Sequence, residues 1–240
     1  MTVASVMQIT PLGDSALVVR VCETSTDPDE QSLRLVLDTL HKIKDARIAG
    51  ILELAPAYTT IGIFFDPLRV AAAAPESIFD SLAGQIRKAI SHAKKSAAKT
   101  ASRIVEIPVC YDPEFALDLD EVAQQTELSP KEIVDLHCSA TYNVNCVGFT
   151  PGFPFLSGLS AKLVVPRWST PRKEIPIGSV AIAGKQTGVY PVKSPGGWNI
   201  IGRSPLRFFD AAKNPPALLC AGDRVRFRSI TREKFAALQK

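Results

Sequence analysis

Gly148-Phe149-Thr150-Pro151-Gly152-Phe153-Pro154-Phe155-Leu156-Ser157-Gly158 opens the part of the chain whose reading decides the fold. Two runs of the same character follow: Pro176-Ile177-Gly178-Ser179-Val180-Ala181-Ile182-Ala183-Gly184-Lys185-Gln186-Thr187-Gly188-Val189-Tyr190-Pro191, then Ser194-Pro195-Gly196-Gly197-Trp198-Asn199-Ile200-Ile201-Gly202-Arg203-Ser204-Pro205. Residues 148–205 hold nine of the fourteen glycines and eight of the eighteen prolines. Such density interrupts helices and makes tight turns. Phe, Trp, Ile and Val recur between the turns, so the segment is not a low-complexity linker. It reads as a loop-rich domain of short strands, most simply a β-barrel. Ala221-Gly222-Asp223 then turns into the alternating strand Arg224-Val225-Arg226-Phe227-Arg228.

The residues upstream alternate between two periods. Residues 15–21 form a Val-rich apolar run after Pro11 and Gly13, which suits a strand. Asp27-Pro28-Asp29 can start a helix, in which Leu33, Val36, Leu37, Leu40 and Ile43 recur at helical spacing. Residues 51–54 and 59–65 read as two strands separated at Pro56, and a second helix is expected over 75–95. Residues 94–100 are basic and alanine-rich, either a helix end or a hinge. Residues 103–109 read as another strand, and 118–126 as a short helix. Ser129-Pro130-Lys131-Glu132 opens a further helix, with Ser129 as N-cap and Pro130 in the first turn. The fold class expected is α+β: a small α/β domain over 1–98, with two helices on an antiparallel sheet, and a β-barrel domain over 99–240.

Charge is unevenly distributed. The chain of 240 residues carries a net +4. Residues 137–228 hold twelve Lys or Arg against Glu174, Asp210 and Asp223, about +9, which leaves about −5 elsewhere. A basic segment attracts anionic ligands or an acidic partner surface, while the net charge gives no reason to expect nucleic acid as partner. No apolar run reaches the length of about 18 residues that a membrane span needs. No secretory signal is evident, and the five cysteines show no CxxC spacing, so reduced thiols and a cytoplasmic location are expected. The three histidines are far apart in sequence, and no metal site is expected.

The three runs fit the pattern GF-x-PGFP-[FY]-L, P-x-GSV-x-IAG-x-QTG-x-YP and SPGGW-x-x-IGR-[ST]-PL, in that order and spacing. In this the chain resembles the family that contains the B subunit of bacterial ATP-dependent 5-oxoprolinase, KipI and allophanate hydrolase subunit 1. The likeness extends to Pro11-Leu12-Gly13-Asp14-Ser15-Ala16-Leu17 and Ile107-Pro108-Val109-Cys110-Tyr111-Asp112, and so covers nearly the whole chain. Small departures are Thr150, Lys185, Asn145 and Cys146. The resemblance implies a cyclophilin-like barrel for the second domain. It also implies a subunit that is inactive alone. Such a subunit pairs with a C subunit (KipA, or allophanate hydrolase subunit 2) to activate 5-oxoproline with ATP. A separate A subunit, of the LamB/YcsF type, completes ring opening to glutamate. ATP, with magnesium, is the implied cofactor. The chain has no GxxxxGK[ST] loop, so the nucleotide is held in another way, shared across subunits, or bound by the partner. Other branches imply other roles: a regulatory module that inhibits a sensor histidine kinase, or a subunit in urea or allophanate metabolism. The barrel alone suggests a peptidyl-prolyl isomerase, a weak warrant.

Candidate site residues follow from their chemistry. His137 titrates near neutrality and is either a proton shuttle or substrate donor, or a structural residue at a helix end. Phe153, Pro154 and Phe155, with Phe149, either wall a ring-shaped ligand or fill the core. Gly184, Gln186, Thr187, Gly188 and Tyr190 form a glycine-rich turn whose N–H groups suit an anion, and the Gln186 amide suits a lactam. Ser194, Pro195, Gly196, Gly197 and Trp198 make a second turn of this kind. Arg172 and Arg203 are the candidate carboxylate or phosphate clamps. The catalytic set expected is His137, Gln186 and Arg203.

Overall fold

In a computed structural model of the chain, the residues described are 7–23, 30–71, 77–92 and 103–239. The expected helix start at Asp27-Pro28-Asp29 and the basic stretch 94–100 lie outside them. Contacts divide the chain into two units, Met1–Ala101 and Ser102–Lys240.

The first unit is a four-stranded antiparallel sheet with two helices. Its strands are β1 (Gln8–Pro11), β2 (Ala16–Arg20), β3 (Ile51–Ala57) and β4 (Thr60–Phe65), in the order β1-β2-β4-β3. The helices are α1 (Glu30–Asp45) and α2 (Ile78–His92). Ser77 starts α2, because its Oγ accepts from Asp80 N at 3.0 Å. Alternation decides the buried sheet face: Leu17, Val19, Ile61 and Ile63 have no exposed surface and pack with Val36, Ile43, Leu82 and Ile86 of the helices. The strand expected to stop before Pro56 runs through it. β3 lies at the sheet edge, where a proline's missing N–H costs no ladder bond. Strand β1, in a region with no strand expected, pairs with β2 over Gln8–Pro11.

The second unit is built on a seven-stranded sheet. Its elements are β5 (Ile104–Val109), α3 (Leu119–Thr126), α4 (Pro130–Ser139), β6 (Tyr142–Val147) and β7 (Pro154–Ser157). There follow β8 (Arg172–Ile175), β9 (Ser179–Ala183), β10 (Gln186–Val189), β11 (Ser194–Gly196), β12 (Asn199–Arg203), β13 (Arg224–Ser229) and α5 (Arg232–Leu238). The order is β12-β9-β10-β7-β6-β13-β5, with β5 and β13 parallel and the other neighbours antiparallel. Cys110 and Arg203 exchange backbone hydrogen bonds of 2.8 and 2.9 Å, which joins the two outermost strands and nearly closes the sheet into the expected barrel. Helix α4 begins as its sequence dictates. Pro130 occupies the first turn, Ser129 Oγ accepts from Glu132 N at 3.3 Å, and Glu132 Oε2 accepts from Ser129 N at 2.8 Å. Leu119, Val122 and Ile133 of α3 and α4 pack with Ile107, Val144, Leu156, Val180, Ile182, Val189, Ile201 and Val225 in one core. β8 and β11 pair as a separate two-stranded ribbon.

Candidate functional site

Strands β7, β9, β10 and β12 bury both of their faces. On the inner face, Leu156, Val180, Ile182, Val189 and Ile201 join the barrel core, and Thr187 points the same way. There His137 lies stacked on Phe227, ring centres 4.4 Å apart, with no exposed surface. Its Nε2 is 3.0 Å from Thr187 Oγ1, and its Nδ1 is 2.8 Å from Tyr111 Oη. The network fixes the tautomer. Thr187 Oγ1 donates to Ala181 O at 3.0 Å, so it must accept from Nε2–H. Nδ1 is then bare and accepts from the Tyr111 hydroxyl, which accepts in turn from Cys138 Sγ at 3.5 Å. Every proton in this chain has a place in the neutral state of the ring. Burial accordingly pulls His137 down from 6.5 to about 3 and pushes the Tyr111 hydroxyl well above its usual range.

The opposite face of the same strands carries an aromatic layer. Phe153, Tyr190 and Trp198 pack with Ile175, Ala181, Ala183 and Ile200, and half-buried Phe155 lies against them. Phe153 is the hub: its ring meets Tyr190 at 5.0 Å, Trp198 at 5.6 Å and Phe149 at 5.7 Å edge to face, and Phe155 at 4.8 Å in a tilted pair. Two motif glycines make room. A Cβ on Gly188 would sit 2.8 Å from Phe153 Cζ, and one on Gly196 only 2.6 Å from Ile175 Cδ1 and closer still to the Tyr190 hydroxyl. At one margin Phe149 is 67% exposed at φ +69°, a left-handed backbone that a bulky residue rarely adopts. At another, the Arg167 guanidinium lies 5.7 Å from the Trp198 ring centre and that of Arg172 lies 5.6 Å from Trp168.

Among the described residues, three buried side-chain polar atoms lack a hydrogen-bond partner: Asn145 Nδ2, Thr150 Oγ1 and Ser194 Oγ. All three sit on segments that frame this layer. Asn145 lies in β6 beside Phe155's strand, Thr150 in the Phe149–Phe153 turn, and Ser194 in β11 opposite Ile175. Such atoms are scarce in folded proteins, and their gathering here marks the face as a candidate site.

Residues 7–219 match the family described as "Carboxyltransferase domain, subdomain C and D". A Bacillus subtilis (strain 168) protein, named as the B subunit of 5-oxoprolinase, is 42% identical over 236 residues, covering 97% of each chain. The chain belongs to the family of 5-oxoprolinase B subunits. The Escherichia coli O157:H7 protein of the same name is 48% identical over 134 residues, which is 56% of this chain and 62% of that protein. Among solved structures, TTHA0988 superposes with a TM-score of 0.75 at 36% identity over 90% of this chain, which spans 40% of that longer one.

In this member of the 5-oxoprolinase B family the expected site residues separate into groups. Phe153, Pro154, Phe155, Gly188, Tyr190, Gly196 and Trp198 come together in and around the aromatic layer, where the rings of the turn pack against one another as core. Thr187 and His137 meet on the other face, inside the core. The sequence left His137 as shuttle or structural residue; with both ring nitrogens bonded within the protein and no exposed surface, it takes the structural role and does not reach a ligand. Arg172 is also engaged: Asp118, 3% exposed, accepts from its Nη1 at 2.9 Å and Nη2 at 2.5 Å. The clamp expected of Arg172 is therefore filled by the protein's own carboxylate, which also accepts from Ile200 N at 2.7 Å and so ties β8 to β12. Arg203 is half-buried, and its Nε donates to Ile177 O at 2.7 Å. Gly184 turns the β9–β10 hairpin, its N–H donating to Val165 O at 2.7 Å rather than to an anion. Gln186 follows it, paired in register with Ser157. Ser194, Pro195 and Gly197 shape the β11 turn, where Gly197 O accepts from Trp168 N at 2.8 Å. Asp118, Tyr111 and Asn145 were not among the expected site residues. The partners of Asp118 lie 54 and 82 positions away, a relation no local pattern announces.

Proposed function

We propose that this chain is the B subunit of an ATP-dependent 5-oxoprolinase. It acts with a C subunit to activate 5-oxo-L-proline, and an A subunit completes hydrolysis to L-glutamate. The observation that carries the reading is the 42% identity, over 97% of both chains, to a protein named for that role. The chemistry accounts for the need of ATP. A five-membered lactam is a poor electrophile, and ATP supplies the phosphoryl group that turns its amide oxygen into a leaving group. One water then opens the ring and another accounts for release of phosphate, giving glutamate, ADP and phosphate.

What this chain supplies is best sought on the aromatic face. Its rings offer an apolar floor for a small ring, and Gln186 and Arg203 border the same strands. The residues present fit only part of a magnesium–ATP site. Arg172 and Arg103 are paired with Asp118 and Asp223. Among the described residues no three His, Cys, Asp or Glu side chains gather as metal ligands. On this reading the nucleotide, with its magnesium, is shared with the C subunit. The five cysteines form no disulfide, which accords with a cytoplasmic site of action; no helix among the described residues is long and apolar enough to cross a membrane.

The test is reconstitution. ATP hydrolysis is measured for this chain purified with its candidate C and A subunits, with and without 5-oxoproline. Hydrolysis that requires both 5-oxoproline and this chain is the expected result. A complete mixture that 5-oxoproline fails to stimulate refutes the assignment.

A further inference from the structure

The least explained polar group in the second unit is the side chain of Asn145. It is 1% exposed, and its Nδ2 has no hydrogen-bond partner. The other end of the amide is held: Ser157 Oγ donates to Asn145 Oδ1 at 3.2 Å. The donor role belongs to this orientation: with the amide's oxygen and nitrogen exchanged, Ser157 Oγ would accept and the unpaired end would be a carbonyl, an acceptor. Backbone geometry puts it there. The β6–β7 register shifts between Val144 and Cys146, so Asn145 is the extra residue of a bulge, a device that re-aims a side chain.

The register also shows what surrounds it. Asn143 pairs with Ser157, and Ser157 with Gln186; Cys146 pairs with Phe155, and Phe155 with Gly188. Asn145 therefore lies between a polar row, Ser157 and Gln186, and an aromatic row led by Phe155, whose ring meets Trp198 at 5.9 Å. An unpaired amide N–H on a strand beside a polar row and an aromatic row suits a flat, neutral amide: the ring packs on the aromatic side, and the carbonyl accepts from the amide.

We propose that Asn145, fixed by Ser157, is the hydrogen-bond donor for the carbonyl oxygen of a compact amide ligand seated beside Phe155. Under the oxoprolinase reading, on which this assignment rests for its substrate, that ligand is the lactam of 5-oxoproline. Half-buried Phe155 is the neighbour that must yield to admit it. Asn145 is then a binding and positioning residue that selects a lactam over a ring lacking the acceptor.

The experiment uses the full chain labelled with ¹⁵N. The Asn145 side-chain NH₂ signals are followed as 2-pyrrolidinone, 5-oxoproline and urea are added, with cyclopentane-carboxylate as a ring without an amide. The expected result is a saturable shift with the lactams and none with the carbocycle. Asn145→Leu is expected to weaken lactam binding about tenfold, the loss of one hydrogen bond, and to raise the KM for 5-oxoproline in the three-subunit mixture by the same factor. Its unfolding midpoint should change little, since an unpaired buried N–H is removed while the Ser157 hydroxyl loses its acceptor. Asn145→Asp, which keeps the shape and replaces the N–H donor by a carboxyl oxygen, is the second variant and should lose lactam binding as the leucine variant does; wild-type lactam affinity in it overturns the donor role. Asn145 signals that no amide moves, or a leucine variant with unchanged lactam affinity, overturn the proposal and leave the group as a buried amide paired with water. The two readings fail separately. Amide shifts without 5-oxoproline-dependent ATP hydrolysis sink the oxoprolinase assignment alone, and the reverse pattern sinks the Asn145 site alone.

Discussion

Acidification should destabilise the second unit through His137, by an amount the structure sets. The ring is neutral, fully buried and bonded at both nitrogens, and its folded-state pKa is about 3 against 6.5 for the free group. Below about pH 6.5 the unfolded chain takes up a proton that the folded chain refuses. Stability is therefore lost as pH falls from about 6.5 toward 3, and the loss stops once both states are protonated. The slope in that window approaches about 1.4 kcal/mol per pH unit. Between pH 7 and pH 4.5 the contribution is about 2–3 kcal/mol. Surface carboxylates such as Glu132 and Glu233, held low by their capping hydroxyls, lose stability in the same direction, so the measurement must be differential. Urea unfolding of the intact chain and of His137→Gln at both pH values isolates the term. The glutamine variant should be less stable at pH 7, having lost the stack on Phe227, but the wild type should lose about 2–3 kcal/mol more than the variant on acidification. Parallel losses refute the reasoning. So does an imidazole that titrates near 6.5 by NMR while the chain remains folded, since the Tyr111–His137–Thr187 chain has no place for a second ring proton.

Two further perturbations probe the other face. Gly188→Ala puts a Cβ at 2.8 Å from Phe153 Cζ and 2.9 Å from Pro154 O. It should cost about 1–3 kcal/mol of unfolding free energy by overpacking, with a changed near-ultraviolet signal from Trp198; a midpoint equal to wild type would show the layer to be looser than described. Asp118→Ala strands Arg172 and the Ile200 N–H and should cost about 3 kcal/mol, the low end for a broken buried pair because the Arg172 side chain is 32% exposed and can rehydrate. In a double-mutant cycle with Arg172→Ala, the second substitution should add much less than it costs alone, and additive losses would show that the pair is not coupled.

Local rules made some of this legible. The spacing of Leu33, Val36, Leu40 and Ile43 is that of α1, and Ser129, Pro130 and Glu132 spell a capping box that the structure closes atom by atom. The crowd of glycines and prolines excluded long helices and left short strands, which the barrel uses. What sequence could not show is non-local. Pro56 reads as a break until β3 is known to be an edge strand. The parallel pairing of β5 with β13 joins residues about 120 positions apart. His137 looks like an acid–base group until Tyr111 and Thr187, 26 and 50 positions away, are found to occupy both nitrogens.

The motif glycines hold the deepest ambiguity, because a missing Cβ serves a close ligand and a close side chain equally well. Gly188 and Gly196 resolve it in favour of packing, one against Phe153 and the other against Tyr190 and Ile175. The runs that carry the family resemblance therefore encode a second apolar layer on the barrel's strands. A layer so built can shape and desolvate a ligand, but its own donors, the Tyr190 hydroxyl and the Trp198 N–H, belong to buried rings. Discrimination must then come from the polar groups that interrupt it. Of these, Arg172 is neutralised by Asp118 and Thr187 faces the other way; Gln186, Arg203 and the side chains of Asn145, Thr150 and Ser194, each with an unpaired buried polar atom, are the places where substitution should change substrate preference without dismantling the fold.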